Sequence, residues 1–251
     1  MAVDVAADAS TTVVEMTVHG QWSPELGRQV DATLRECLAG PVSVVIVDLH
    51  GVGDLHGVSR PFWVTAARTA QLGPRPARLA LCLPTSTMLD YRLRHGDRPP
   101  ALVFATMQLA RQSLAADLPR GFRMQARLRP HPISVVAARD LVVRACDRWQ
   151  LRHLQDDATL IVSELASNAV QHAGTDLVVT VVRTGPDLLL AVRDSDTRYP
   201  RLREPTAGES AAEVLHERGR GLQLVHAVAP IWGAMPARGG KVVWATVSPD
   251  S

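Results

Sequence analysis

Three short segments in the second half of the chain carry side chains that could act on a phosphate-bearing ligand: Glu164 and Asn168, four residues apart; Asp194, at the end of an apolar run; and Gly219-Arg220-Gly221-Leu222. An acid at a strand end can accept a hydrogen bond from an exocyclic amine, which is a specific way to hold adenine. Two glycines ahead of a helix leave backbone N–H groups open toward a phosphate. Each signal is weak alone, but their order and spacing describe a nucleotide pocket.

The elements that must position these residues can be read from periodicity. From Asp157 to His172 the pattern predicts a helix, with Val162, Leu165, Ala166 and Ala169 on its apolar face. Glu164, Asn168 and His172 form a stripe spaced by four. Four residues advance 400°, so the stripe drifts about 40° per step and brings Asn168 and His172 to the border of the buried side, where a ligand could be enclosed. On an isolated helix the same stripe would simply be solvated. Leu177 to Val182 and Leu188 to Val192 read as a hairpin around Thr184-Gly185-Pro186-Asp187. Thr197 to Arg218 is a polar, irregular segment long enough to serve as a lid. The glycine turn is not a Rossmann fingerprint, since no strand directly precedes it and a third glycine is absent. No Gly-Lys-Ser/Thr of a Walker loop occurs, and Gly239 to Val247 closes the chain as a turn and final strand.

The first half has a different grammar. Val13 to Val18 reads as a strand ending at Gly20. Ser23-Pro24-Glu25 opens a helix that runs to Gly40-Pro41. Val42 to Leu49 is an almost continuous apolar run, as expected of a strand covered on both faces. A glycine-rich turn, His50 to Ser59, leads to a helix from Pro61 to Leu72, and Arg78 to Leu83 forms another strand. Pro119-Arg120-Gly121 marks a boundary. Arg123, Arg127 and Arg129 beyond it suit the solvated face of a strand, and Pro132 to Trp149 suits a first helix of a new unit.

Bulk composition is compatible with this division. The 251 residues are 46% hydrophobic and 21% charged, enough apolar material for real cores. The 27 basic and 25 acidic residues are too evenly balanced for a nucleic-acid footprint. Lys241 is the only lysine. Cys37, Cys82 and Cys146 show neither metal-ligand spacing nor a disulfide framework, so a reducing cytoplasm is the expected compartment. No signal-peptide pattern and no apolar run of about 20 residues occurs, so no membrane association is expected.

Residues 12 to 117, with Asp48-Leu49 ending the central strand and a loop feeding a helix, resemble the STAS domain of anti-sigma-factor antagonists. In regulated members of that family the loop carries an Asp-Ser pair near a Gly, the Ser accepting phosphate. Here the stretch reads His56-Gly57-Val58-Ser59, with Ser59 displaced, so docking or oligomerisation is the expected role. Residues 120 to 248 resemble a GHKL, or Bergerat-fold, ATPase domain of the type found in anti-sigma-factor serine kinases. Glu164 to His172 matches its N box, and Glu217-Arg218-Gly219-Arg220-Gly221-Leu222 its later glycine box.

The fold implied is a two-domain α/β protein: a STAS-like sandwich of mixed sheet and helices over residues 1–117, and a GHKL α/β sandwich over 118–251. The cofactors implied are ATP and Mg²⁺. By position, Asn168 would coordinate Mg²⁺, Glu164 would act as general base or orient the attacking group, and Asp194 would hold the adenine amine. Gly219 and Gly221 would meet phosphates through backbone amides, and Thr246 would lie beneath the adenine. His172, Arg218, Arg220 and Leu222 complete the implied binding set. The family's Asp-x-Gly-x-Gly reads Asp194-Ser195-Asp196-Thr197-Arg198 here, keeping the acid and losing both glycines. That substitution should narrow the approach and add a carboxylate.

Two functions of different class follow. One is a serine/threonine kinase acting on a STAS-domain protein or bound to a sigma factor, with a homodimer compatible. The other is a non-catalytic docking regulator with a degenerate pocket. A sensor histidine kinase is disfavoured, because no dimerisation hairpin bearing a phospho-acceptor His is evident.

Overall fold

The computed structural model describes residues 2–8, 12–73, 75–95, 101–117, 122–200 and 221–249. The protein is mixed α/β, and its internal contacts divide it into two compact units, Met1–Pro119 and Arg120–Ser251.

In the first unit the elements run β1 (Val3–Ala7), β2 (Val13–Gln21), α1 (Pro24–Ala39), β3 (Val44–Gly53), α2 (Arg60–Leu72), β4 (Arg78–Cys82), α3 (Met88–Arg94), β5 (Leu102–Phe104) and α4 (Met107–Asp117). Their strands lie in the order β5-β4-β3-β2-β1. β2 to β5 pair in parallel, while β1 runs antiparallel to β2, with Val3 opposite Val18. The apolar run of β3 sits mid-sheet as its composition requires. Ile46 packs with Ala80, Cys82, Ala110 and Leu114 on the α4 side, and the alternating Val45 and Val47 are wholly buried as well. The α1 start is local chemistry: the Ser23 hydroxyl accepts from Leu26 N at 3.2 Å and Pro24 opens the first turn. The glycine-rich turn is shorter than expected, because β3 continues pairing with β2 as far as Gly53 opposite Gln21.

In the second unit the elements are β6 (Arg123–Leu128), α5 (Ile133–Trp149), α6 (Gln155–Asn168), β7 (Leu177–Thr184), β8 (Asp187–Asp194), α7 (Gly221–Val228), β9 (Trp232–Ala237) and β10 (Gly240–Val247). The strand order is β9-β10-β8-β7-β6, with every neighbour antiparallel. One core fills the space between sheet and helices. Leu141, Val142, Ala145, Ile161, Val162 and Leu165 from α5 and α6 meet Leu188, Leu190 and Val192 of β8 and Val243, Ala245 and Val247 of β10. Burying each of these larger side chains contributes about 1.5–3 kcal/mol. Arg123, Arg127 and Arg129 are exposed, in line with a solvated strand face.

The second helix departs from its sequence pattern. It is α-helical only to Asn168, and Ala169–Ala173 form a single π-helical turn closed by Gly174 N donating to Ala169 O at 3.3 Å. A π turn advances less per residue than an α turn, so His172 does not continue the stripe at the drift expected of an α-helix. Such single turns are frequent at functional sites.

Candidate functional site

Period-two alternation in two paired strands sets the floor of the site. On β8 the row Leu188, Leu190, Val192 faces the helices, and Asp194 is the next member of that row. On β10 the matching row is Val247, Ala245, Val243 and then Lys241, and the register places Lys241 directly opposite Asp194. Past this end of the core the helices no longer cover the sheet, and a cavity of about 420 Å³ opens. Its apolar wall includes Leu165, Ala169, Val192, Leu222 and Val243, and its polar groups are Asn168, His172, Asp194, Asp196, Arg198 and Lys241. That size and mixture, mostly apolar with a few convergent polar groups, is typical of small-molecule sites.

The acid corner is the most constrained part. Asp194 and Lys241 are both buried, and Lys241 Nζ donates to Asp194 Oδ1 at 2.9 Å and to the Asp196 carbonyl at 3.1 Å. Asp196 N also donates to Asp194 Oδ1, at 2.8 Å, and Arg198 N to Asp196 Oδ1 at 3.1 Å. These are two successive turns in which an aspartate side chain closes onto the backbone two residues on. Carboxylates thus shape the segment where the resembling family has glycines. The Arg198 side chain and amide, with help from Lys241, hold the Asp196 carboxyl down to about 2, so it is ionised at neutral pH. Gly240 is pressed beneath this corner, where a Cβ would lie 1.9 Å from Asp194 O. Only glycine fits there.

The helix α7 closes the other side. A Cβ on Gly221 would lie 2.5 Å from Glu164 Oε2 and 3.4 Å from Asn168 Nδ2. The absence of a side chain at Gly221 therefore lets the start of α7 sit against Glu164 and Asn168. Of the residues singled out in the sequence, Asn168, His172, Asp194 and Leu222 line the cavity, with Glu164 and Gly221 meeting beside Asn168. Thr246 is placed elsewhere. It belongs to the opposite row of β10, across from Leu189, and its Oγ1 donates to the Ile231 carbonyl at 3.1 Å. Arg218, Gly219, Arg220 and most of the Thr197 to Arg218 segment lie outside the described residues. Lys241 and Arg198 are site residues that sequence reading did not select. The only signal for Lys241 was its being the sole lysine, immediately after Gly239-Gly240.

In the first unit, Ser59 is fully buried at the start of α2. Its hydroxyl donates to Asp54 Oδ2 at 2.6 Å and accepts from Trp63 Nε1 at 3.1 Å. Asp54 also accepts from Val58 N at 2.8 Å and Ser59 N at 3.0 Å. The hydroxyl is committed in both directions.

Residues 128–246 match the family model of the histidine kinase-like ATPase domain. This stretch spans the helix bearing Glu164 and Asn168, the Asp194 corner and the Gly219-Arg220-Gly221 segment. A crystal structure of an anti-sigma factor antagonist from Mycobacterium paratuberculosis is similar at 12% identity and a TM-score of 0.37, covering 45% of this chain and 94% of that one. No curated protein matches the chain.

The residues present fit a purine nucleotide. The cavity combines an apolar slot with a buried carboxylate, and among the described residues both hydrogen bonds that Asp194 accepts end on Oδ1, leaving Oδ2 for a ligand donor. Among the described residues no group of three or more His, Cys, Asp or Glu could hold a metal ion. Asn168, which lines the cavity, carries an amide oxygen of the hard type that would hold Mg²⁺. Among the described residues no helix is long and apolar enough to cross a membrane.

Proposed function

We propose that this protein is an ATP- and Mg²⁺-binding regulator of the partner-switching type. Its second unit would be a GHKL-type ATPase domain resembling the anti-sigma-factor serine kinases, and its first a STAS-like docking domain. The observation that carries this reading is the convergence of Asn168, His172, Asp194 and Leu222 on one apolar-walled cavity, inside the stretch that matches the histidine kinase-like ATPase model. Asp194 Oδ2 would accept the base's exocyclic amine, Leu165, Val192 and Val243 would enclose the ring, and Asn168 would hold Mg²⁺ near the phosphates. Glu164, beside the N-terminus of α7, orients the hydroxyl of a partner's Ser or Thr. Phosphoryl transfer here depends on positioning and charge neutralisation. Bound Mg²⁺ supplies the neutralising charge.

The partner is a STAS-domain protein or a sigma factor, and the biology is transcriptional control in the cytoplasm. The parallel β2–β5 order and the loop-to-α2 turn support a STAS-like reading of the first unit. The burial of Ser59 supports a docking role over that of a phosphate acceptor. One observation favours a second reading, a docking regulator without turnover: Lys241 already occupies one oxygen of Asp194, and Asp196 adds an anion to the cavity.

Nucleotide titrations of the full chain separate the readings. Saturable, Mg²⁺-dependent ATP binding, lost in Asp194→Asn, supports a nucleotide pocket. Phosphoryl transfer to a STAS protein that is lost in Glu164→Ala supports a kinase. Binding without transfer supports the docking regulator, and no binding at all removes the nucleotide reading.

A further inference from the structure

The buried Lys241 does more than neutralise Asp194. An ammonium carries three N–H donors. Two are used, on Asp194 Oδ1 at 2.9 Å and the Asp196 carbonyl at 3.1 Å. The next carboxylate oxygen, Asp196 Oδ2, is 3.6 Å away, beyond hydrogen-bond distance. Among the described residues the third proton therefore has no acceptor, although the Lys241 side chain is only 8% exposed and lines the cavity. Asp194 mirrors it, with Oδ1 doubly used and Oδ2 accepting nothing among the described residues. A spare donor and a spare acceptor thus stand side by side at the base end of the cavity.

We infer that Lys241 is a specificity-determining residue that widens the pocket's choice of purine from 6-amino to 6-oxo bases. This rests on the reading of Asp194 as the group facing the purine 6-position. A carboxylate alone accepts an amine at that position and repels an oxo group. With the ammonium beside it, a 6-amino group donates to Asp194 Oδ2, and a 6-oxo group accepts from Lys241 Nζ in the same pose. No such lysine is needed for adenine alone.

The test compares ATP with ITP, whose bases differ only at the 6-position and N1, by titrating each into the full-length chain with Mg²⁺. The wild type should bind ITP within about tenfold of ATP. Lys241→Met should lower ITP affinity about tenfold to a hundredfold more than ATP affinity, as expected for losing one hydrogen bond to a charged group. The wild-type comparison stands even if the variant folds poorly. Binding of ATP with no measurable binding of ITP would overturn the assignment, as would an ITP-to-ATP ratio unchanged in a folded Lys241→Met protein. If neither nucleotide binds the wild type, the nucleotide reading falls, and this inference with it.

Discussion

Replacing Lys241 by Met should be among the most damaging single changes in the second unit, and the reason can be worked from the pair it breaks. Lys241 and Asp194 side chains are 8% and 3% exposed, joined at 2.9 Å. Met keeps the length and apolar stem of Lys, so packing changes little while the charge disappears. Asp194 is then left as a buried carboxylate, still receiving Asp196 N but without its counter-ion. Removing one partner of a buried pair costs about 3–5 kcal/mol, far more than an exposed pair is worth. For a unit of this size each kcal/mol shifts the melting temperature by about 3 °C, so the transition should fall by roughly 10–15 °C. Adding Asp194→Asn to Lys241→Met removes the stranded charge and should recover much of that loss. Differential scanning calorimetry of the wild type, both single variants and the double variant provides the cycle. A shift under about 2 °C for Lys241→Met, or a double variant no more stable than the single one, would refute the account of this corner.

Other perturbations have equally definite expectations. Gly240→Ala places a methyl against the backbone carbonyl of Asp194, which no rotamer can relieve, so it should destabilise by about 3 kcal/mol or more or prevent folding, as read by urea unfolding. Ser59→Ala strips Trp63 Nε1 of its buried acceptor and should cost about 1–3 kcal/mol, while intact-mass spectrometry of wild type treated with a serine kinase should show no phosphate on Ser59 in the folded state. The Asp196 carboxyl is held to about 2 from an ordinary 3.8 by Arg198 and Lys241. Its stabilising contribution is therefore complete above about pH 4 and lost as pH falls toward 2. Carboxyl ¹³C NMR should show that low midpoint, and Arg198→Ala should raise it.

What the sequence revealed divides by the range of the interactions. The start of α1 was legible because Ser23, Pro24 and Leu26 cap one another within three residues. The mid-sheet place of β3 was legible because an unbroken apolar run needs cover on both faces. By contrast, β1 is five residues long and is defined by its pairing with β2, while β9 is interrupted by Gly233 and Pro236, both poor strand residues. The Glu164-Asn168 stripe was readable as a helix pattern, but the π turn that closes it was not, since a one-residue change in hydrogen-bond register leaves little trace in hydrophobic periodicity. The pairing of Lys241 with Asp194 depends on the β8–β10 register across 47 positions, which turn chemistry at either end does not fix. Thr246 shows the same limit, because a one-position shift along a strand moves a side chain to the other face of the sheet. The corner after β8 is held as a turn by the Asp194 and Asp196 side chains, an arrangement visible only once the hydrogen bonds are seen.

The central claim, that the cavity between α6 and the β8–β10 floor is a nucleotide site, is tested most directly by mapping ATP·Mg²⁺ onto the full-length chain with backbone amide NMR. Saturable shifts should concentrate at Asn168, the 169–173 turn, Asp194, Asp196, Leu222 and Lys241, and Asp194→Asn should abolish them. An unchanged spectrum at millimolar ATP, or saturable shifts confined to residues away from this cavity, would contradict it.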